Sequence, residues 1–234
     1  MNILKKVDEA YVTEFVYGAI DGTVTTFATV AAAAGAGFSE LIIIILGFAN
    51  LIADGFSMAI GSYLSATSEQ AIYEREKRSV FKAMGNKKQE QALIKRIFGK
   101  YDLSKATLNE IVEKVQSKED HFTELVMREE KELLEPPKSA FAVGLATYLA
   151  FVLVGLMPLL VYIIDYLVDT GLNDSTIFGI SALVAAVCFA GIGWLKGFVA
   201  QEKKNRSILQ TLMLGTVAAG LAYLLGFYLE KIVT

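Results

Sequence analysis

Long stretches without a charged side chain constrain the fold of this sequence more than any other feature. Three of them cover Ser139–Ile164, Ser175–Leu195 and Ser207–Leu229. An α-helix needs about 20 apolar residues to cross the hydrocarbon core of a bilayer, and each stretch is long enough. With 54% hydrophobic residues and a mean hydropathy of +0.46, the chain is too apolar for an ordinary soluble domain. The sequence therefore predicts a polytopic membrane protein.

Two further apolar stretches each carry one aspartate. Phe15–Phe38 contains Asp21, and Leu41–Leu64 contains Asp54. Charged side chains at membrane depth are costly, and they usually face the interior of a helix bundle or a water-filled path. One aspartate is therefore compatible with a functional membrane span. The predicted fold class is all-α, with five transmembrane helices.

The basic residues are concentrated on one side of the predicted spans. Lys5 and Lys6 precede span one, and fifteen Lys and Arg residues lie between Arg75 and Lys138, whereas the links on the other side are almost free of them. By the positive-inside rule, the N-terminus is cytosolic and the C-terminus lies outside. The predicted organisation is residues 1–65 as spans one and two, residues 66–138 as a cytosolic helical insert, and residues 139–234 as spans three to five.

The insert has a helical pattern, with no Gly-rich phosphate loop and no strand pattern, and we expect no nucleic-acid partner. Its first residues should continue span two as a helix up to Gly85-Asn86, which favours a turn. Thr107–Glu110 reads TLNE, which fits a capping box at the start of a later helix. A last helix, residues 121–134, should stop before Pro136-Pro137. The sequence predicts a small helical bundle here.

Polar side chains recur on one face of each aspartate-bearing span. Asp54, Met58 and Ser62 follow one another at intervals of four residues, so they lie on one helix face. Glu14 and Asp21 are seven residues apart, which places them on one face about 10 Å apart along the axis. No Lys or Arg lies within any predicted span to pair with these acids. Two carboxylate-bearing faces can therefore line one path.

The side chains on these faces indicate the kind of ion. Carboxylate oxygens bind divalent cations in general, while a methionine sulfur favours softer transition metals over Mg²⁺ or Ca²⁺. The same carboxylates can bind protons, because desolvation favours the neutral form and a bound cation favours the charged form. Metal and proton would compete for one site, which is the minimal physics of an antiporter.

Four segments carry a resemblance to a known family. YGAIDGTVTTFATVAAA, ANLIADGFSMAIGSYLSATSE, VGLMPLLVY and ILQTLMLGTVAAGLAYLLG occur in this order, with a charged insert after the second. In these motifs the chain resembles the vacuolar iron transporter family, in a prokaryotic form that we expect in the cell membrane. The resemblance implies a homodimer of five-span subunits in the lipid bilayer. It also implies export of Fe²⁺, and often Mn²⁺, from the cytosol in exchange for H⁺.

The resemblance also implies roles for individual residues. The path in this family is lined by the aspartate of the DG motif and the methionine of the SMA motif, which are Asp21 and Met58 here. Glu14 matches an acidic position at the cytosolic mouth. Asp54 and Ser62 depart from the family, since plant relatives tend to have glycine at the first position and many prokaryotic relatives have glutamate at the second. The Asp54 carboxylate either substitutes for one a turn away or alters selectivity.

In plant relatives the insert binds metal through glutamates on its early helices and a Met/Glu pair on its last helix. Met127 and Glu130 fit that last pair, and Glu90 fits an early position. Arg78–Lys88 contains no carboxylate, although the family has glutamates thereabouts. A metal site and a solvated charged helix therefore both remain open for the insert.

Other functions are less consistent with the sequence. His121 is the only histidine, and residue 118 is Lys rather than Glu, so the Glu-x-x-His pairs of a ferritin-like iron oxidase are missing. We expect no enzymatic activity. Two rivals remain: a transporter whose main cargo is protons with Mn²⁺ or another divalent ion, and a membrane-anchored metal sensor or scaffold that transports nothing.

Overall fold

The computed structural model describes residues 3–83, 85–136 and 139–233, with side chains left aside for residues 3–10, 83 and 119. Within these ranges the chain forms eight α-helices and no strand, which confirms the all-α prediction. The helices are α1 Ile3–Gly35, α2 Glu40–Ala83, α3 Lys87–Phe98, α4 Lys105–Gln116, α5 Glu119–Glu129, α6 Ala140–Val168, α7 Asp174–Val199 and α8 Lys204–Val233.

Four helices of the described chain are long and apolar enough to cross a membrane, namely α2, α6, α7 and α8. This supports a multi-pass membrane protein. Helix α1 is not among the four, because Asp21 and the four threonines between Thr23 and Thr29 lower its mean hydropathy. A fifth span on α1 stays a prediction.

The chain divides into two compact units. Met1–Leu64 and Lys138–Thr234 form the first, called the membrane unit below, and Ser65–Pro137 forms the second, called the insert unit. Helix α2 belongs to both, because it extends beyond its apolar part to Ala83 without a break. The expected continuation of span two as a helix is confirmed.

Close backbone contacts hold α1 against α6 in the membrane unit. A Cβ atom at Gly155 of α6 would lie only 2.6 Å from the carbonyl oxygen of Gly22 in α1, and a Cβ at Gly22 would collide with the carbonyl of Phe151. Only glycine allows the two helices to approach this closely, as is common for helix pairs in membranes. Around the contact lies an apolar core that includes Val30, Phe151 and Leu159, each fully buried.

The insert unit has its own apolar core, built from the end of α2 and from α3, α4 and α5. Its buried members are Val80, Ile94, Val112, Phe122, Val126 and Met127. Helix α4 does not begin at the expected TLNE capping box. Instead Ser104 is its N-cap, and the Ser104 hydroxyl accepts a hydrogen bond from the Thr107 N–H at 3.1 Å. Ser104 lies three residues before Thr107, and its hydroxyl satisfies an N–H group of the first turn that would otherwise have no acceptor. The helix therefore begins after Ser104 rather than after Thr107.

The last helix of the insert unit is shorter than the sequence predicts. Helix α5 ends at Glu129, whereas the pattern predicted a helix up to residue 134. Beyond its C-cap, Glu130, the chain turns back at Glu132, which adopts the left-handed conformation with φ of 54°. The Leu133 N–H then donates to the Met127 carbonyl at 2.9 Å, and the Leu133 side chain packs back on the core.

Candidate functional site

A hydrogen-bonded cluster joins three helices of the membrane unit. The Ser62 hydroxyl of α2 donates to Glu14 Oε2 of α1 at 3.1 Å. Thr147 of α6 lies 3.1 Å from both Glu14 Oε2 and Ser62 Oγ, and its side chain is completely buried. Two of these residues, Glu14 and Ser62, were candidates from the sequence, and the structure brings them together. The Glu14 carboxylate is therefore held by two hydroxyl groups.

The Thr147 hydroxyl has more acceptors than hydrogens. It carries one hydrogen, and its acceptors are Glu14 Oε2, Ser62 Oγ and the Val143 carbonyl oxygen, each at 3.1 Å. Rotation of the hydroxyl lets the hydrogen turn toward whichever acceptor needs it. The Thr147 hydroxyl can therefore serve Glu14, Ser62 or the Val143 carbonyl, depending on how it rotates.

Sequence reasoning missed Thr147, although one signal for it existed. Gly18 lies four residues after Glu14, on the same face of α1, and a Cβ there would collide with the Thr147 carbonyl. The glycine marks where α6 comes closest to α1. Thr147 is the polar residue of α6 at this contact, and its side chain reaches Glu14.

The two membrane aspartates lie close enough to interact electrostatically. Asp21 of α1 and Asp54 of α2 are both half-buried, and their like charges repel each other. Further along, the Asn50 side-chain amide of α2 donates to Thr25 Oγ1 at 3.2 Å and to Thr26 Oγ1 at 3.4 Å. The aspartates thus lie between two places where α1 and α2 share hydrogen bonds.

These pairs form one polar seam between α1 and α2. From Glu14 to Asp21 to Thr25 the chain advances by seven and then four residues, while on α2 the partners go back by eight and then four. This is the register of two antiparallel helices between the Glu14–Ser62 contact and the Thr25–Asn50 contact. We call the six residues the polar seam: Glu14, Asp21, Thr25, Asn50, Asp54 and Ser62.

Met58 lies one helical turn from both Asp54 and Ser62, as the spacing predicted. Its side chain is half-buried and packs against the apolar core of the membrane unit. Across the described residues, no three His, Cys, Asp or Glu side chains are grouped closely enough to hold a metal ion together. The polar seam thus offers its carboxylates singly and in pairs, with a thioether beside them.

The structure places the three insert candidates in different surroundings. Met127 is 1% exposed and packs in the core of the insert unit. Glu90 and Glu130 instead line a cavity of about 500 Å³, which Met127 does not line. Glu90 accepts hydrogen bonds from the Gly85 N–H and the Gln116 amide, both at 3.0 Å. Met127 is thus a core residue of the insert unit, whereas Glu90 and Glu130 line the cavity.

The acidic end of α5 is neutralised by basic side chains. Glu130 forms an ion pair with Arg96, and Lys100 donates to Glu129 at 3.0 Å. The hydrogen bond and the charge of Glu129 raise the pKa of the Lys100 ammonium group. These carboxylates therefore already have partners in the absence of metal.

Comparisons with known proteins point to one family. The sequence model of the VIT family matches residues 12–227. Vacuolar iron transporter 1 of Oryza sativa subsp. japonica is 31% identical over 215 residues, which cover 91% of this chain and 82% of the relative. Vacuolar iron transporter 1 of Eucalyptus grandis is 29% identical over 214 residues, covering 91% and 84%. The vacuolar iron transporter of Plasmodium berghei is 26% identical over 231 residues, covering 96% and 84%.

Proposed function

We propose that this chain, which belongs to the VIT family, carries Fe²⁺ and Mn²⁺ out of the cytosol in exchange for protons. The polar seam is the observation that carries the proposal. It places the carboxylates of Glu14, Asp21 and Asp54 along two helices that face each other, and no Lys or Arg occurs in the predicted spans to neutralise them. Acidic groups in such a setting are typical of ion and proton paths.

The chemistry of the seam supports competition between metal and proton. Asp21 and Asp54 repel each other when both are charged, and either a bound cation or a proton relieves that repulsion. A cation that binds between them therefore displaces protons, and protons displace the cation. Met58, one turn from Asp54, adds a thioether that favours transition metals over Mg²⁺ and Ca²⁺.

Helix α1 serves as the fifth span in this proposal. Its threonines satisfy their own hydroxyl groups, because Thr23 donates to the Ala19 carbonyl at 2.8 Å and Thr29 donates to the Thr25 carbonyl at 2.9 Å. A helix with internally satisfied hydroxyls can lie within a bilayer despite a modest hydropathy. Five spans place the two termini on opposite sides, with the N-terminus and the insert in the cytosol of a prokaryotic cell.

A homodimer is part of the proposal. Only 22% of the apolar window of α2 and 17% of that of α8 are buried within one chain. Lipid or a second copy of the chain therefore covers the remaining apolar side chains. The seam provides fewer than three grouped acidic ligands, so water or the second subunit would complete the coordination of a transported ion.

Uptake into proteoliposomes tests the proposal. The purified full-length protein is reconstituted, and uptake of Fe²⁺ under reducing conditions and of Mn²⁺ is followed with and without an imposed pH gradient. We expect a proton gradient directed against the metal flux to accelerate uptake of both ions. Empty liposomes are the control. Metal binding to the protein without any flux would favour the sensor or scaffold instead.

A further inference from the structure

A small cavity opens at the end of the membrane unit where α1 ends and α2 begins. Its volume is about 170 Å³, and its polar lining includes Glu40 of α2, Tyr162 of α6 and Asp174 of α7. Asp165 of α6 carries a further carboxylate that acts electrostatically on Glu40; it is 9% exposed and accepts a hydrogen bond from the Thr170 hydroxyl. Three carboxyl groups from three helices are therefore gathered at this end, away from the polar seam.

The phenol of Tyr162 lacks a partner in this cavity. Tyr162 is 2% exposed, and its hydroxyl makes no hydrogen bond with any described residue. Tyr162 lines the cavity together with Glu40 and Asp174. Buried polar groups nearly always have a partner from the protein or from ordered water. We therefore expect a group inside the cavity to form a hydrogen bond with the Tyr162 hydroxyl.

We propose that this cavity binds a divalent cation together with part of its water shell, as the site from which the transported ion is released. The proposal rests on the transport function proposed above. No three acidic, His or Cys side chains of the described chain are grouped tightly enough to hold a bare ion, so water supplies the remaining ligands. Metal-bound water donates hydrogen bonds, and the two carboxylates and the Tyr162 oxygen can accept them.

The size and chemistry of the cavity fit a partly hydrated ion. A water molecule occupies about 30 Å³ in the liquid, so the cavity has room for about five waters. All of its polar ligands are oxygens, which suit Mn²⁺ and hardly discriminate against Mg²⁺ or Ca²⁺. An ion that leaves the sulfur-containing seam for this cavity therefore exchanges a selective site for an unselective one.

Mn²⁺ binding to the purified full-length protein tests the proposal. The double variant Glu40→Gln/Asp174→Asn removes the two carboxylates that line the cavity, and Tyr162→Phe removes only the hydroxyl. Asp169→Asn is the matched control, because Asp169 acts on Glu40 only through its charge and does not line the cavity. Its left-handed conformation, with φ of 49°, is one that asparagine tolerates. Gel filtration and thermal unfolding confirm that each variant is folded.

We expect the double variant to bind one Mn²⁺ fewer than the unchanged protein, with at least about a tenfold loss of affinity at the cavity. Tyr162→Phe should weaken that site about threefold or more, and Asp169→Asn should leave it within about twofold. Unchanged Mn²⁺ binding in either the double variant or Tyr162→Phe would overturn the proposal.

The experiment also separates this site from the transport function. Each cavity substitution is repeated in the Asp21→Asn background, in which the seam no longer carries the Asp21 carboxylate. If the substitutions still remove one Mn²⁺ there, the cavity binds the ion independently of the seam. A protein that shows this pattern and moves no metal in liposomes would keep the cation site and lose the transport function. If the protein transports metal and every cavity variant binds Mn²⁺ normally, the transport function stands and the cation site is wrong.

Discussion

Carboxylates in the polar seam and in the insert unit have different partners. Glu14 is held by the hydroxyl groups of Ser62 and Thr147, whereas Glu130 and Glu129 are paired with Arg96 and Lys100. A neighbouring ammonium or guanidinium group compensates the charge of a carboxylate, while a hydroxyl group only donates a hydrogen bond to it. The same side chain can thus remain available for metal or proton in one unit and be largely occupied in the other.

Exposure makes the contrast sharper. The side chains of the Arg96–Glu130 pair are 65% and 34% exposed, so the pair adds little to stability, about 0–1 kcal/mol for pairs of this kind. Thr147, in contrast, is completely buried beside Glu14. Changes in the seam should therefore have large effects on function, and changes to the insert pairs should have small ones.

The largest effect is expected at Asp21. Asp21→Asn keeps the size and one oxygen of the side chain but cannot bind or release a proton. Proton-coupled uptake of Fe²⁺ and Mn²⁺ should fall by at least about a hundredfold in proteoliposomes. Gel filtration should show the same oligomer as the unchanged protein. Normal uptake with a normal pH dependence would remove the seam from the mechanism.

Thr147 comes next. Thr147→Val preserves shape but removes a hydroxyl from Glu14, and loss of a buried hydrogen-bond partner costs about 1–3 kcal/mol. We expect uptake to slow by about tenfold, whereas Thr147→Ser, which keeps the hydroxyl, should stay within about threefold of the normal rate. Equal slowing by valine and serine would mean that packing, not the hydroxyl, is what matters at this position.

A smaller and more selective effect is expected at Met58. Met58→Leu keeps the apolar volume, so the free energy of unfolding should change by less than about 1.5 kcal/mol. Without the sulfur, the seam should lose part of its preference for transition metals. Competition of Mg²⁺ or Ca²⁺ against Fe²⁺ uptake would measure this, and an unchanged competition profile would exclude Met58 as a ligand.

The smallest effects are expected in the insert unit. Because Arg96 already compensates Glu130, Glu130→Gln should change Mn²⁺ binding by the full-length protein less than about threefold. Arg96→Gln removes the cation that pairs with Glu130 and should strengthen Mn²⁺ binding, by up to about threefold. The Glu130 carboxylate would then resemble those of the seam, which have no basic partner among the described residues. A large loss of binding in Glu130→Gln would instead assign Glu130 to a genuine metal site.

Much of the seam could be predicted from sequence because it depends on helix periodicity. The four-residue spacing of Asp54, Met58 and Ser62 specifies one face of a helix whatever surrounds it. The residues that this face contacts cannot be predicted from the spacing. Thr147 is 133 residues away from Glu14, and it is one polar residue in an apolar helix, so only the packing of α1 on α6 reveals it.

The end of helix α5 is a second feature that the sequence pattern did not predict. Glu132 adopts a left-handed conformation that sequence patterns normally associate with Gly or Asn, so nothing in the pattern marked the end of α5. The family resemblance proposed Met127 as a metal ligand beside Glu130, with a solvated charged helix as the alternative. The burial of this methionine among Ile94, Val112 and Phe122 is decided by the packing of α5 on its neighbours. Spacing specifies a face, and tertiary contacts decide what that face meets.

The contact between Gly22 and Gly155 has a mechanical consequence. Where two backbones touch directly, no flexible side chain lies between them to deform, so a slide of α1 along α6 would force carbonyl groups over one another. Helices α1 and α6 should therefore move together as one rigid body. The seam, by contrast, is held by the hydroxyl and amide groups of Ser62, Thr25 and Asn50, whose bonds can open and close again. The contact of α1 with α2 along the seam is therefore easier to loosen than the contact of α1 with α6.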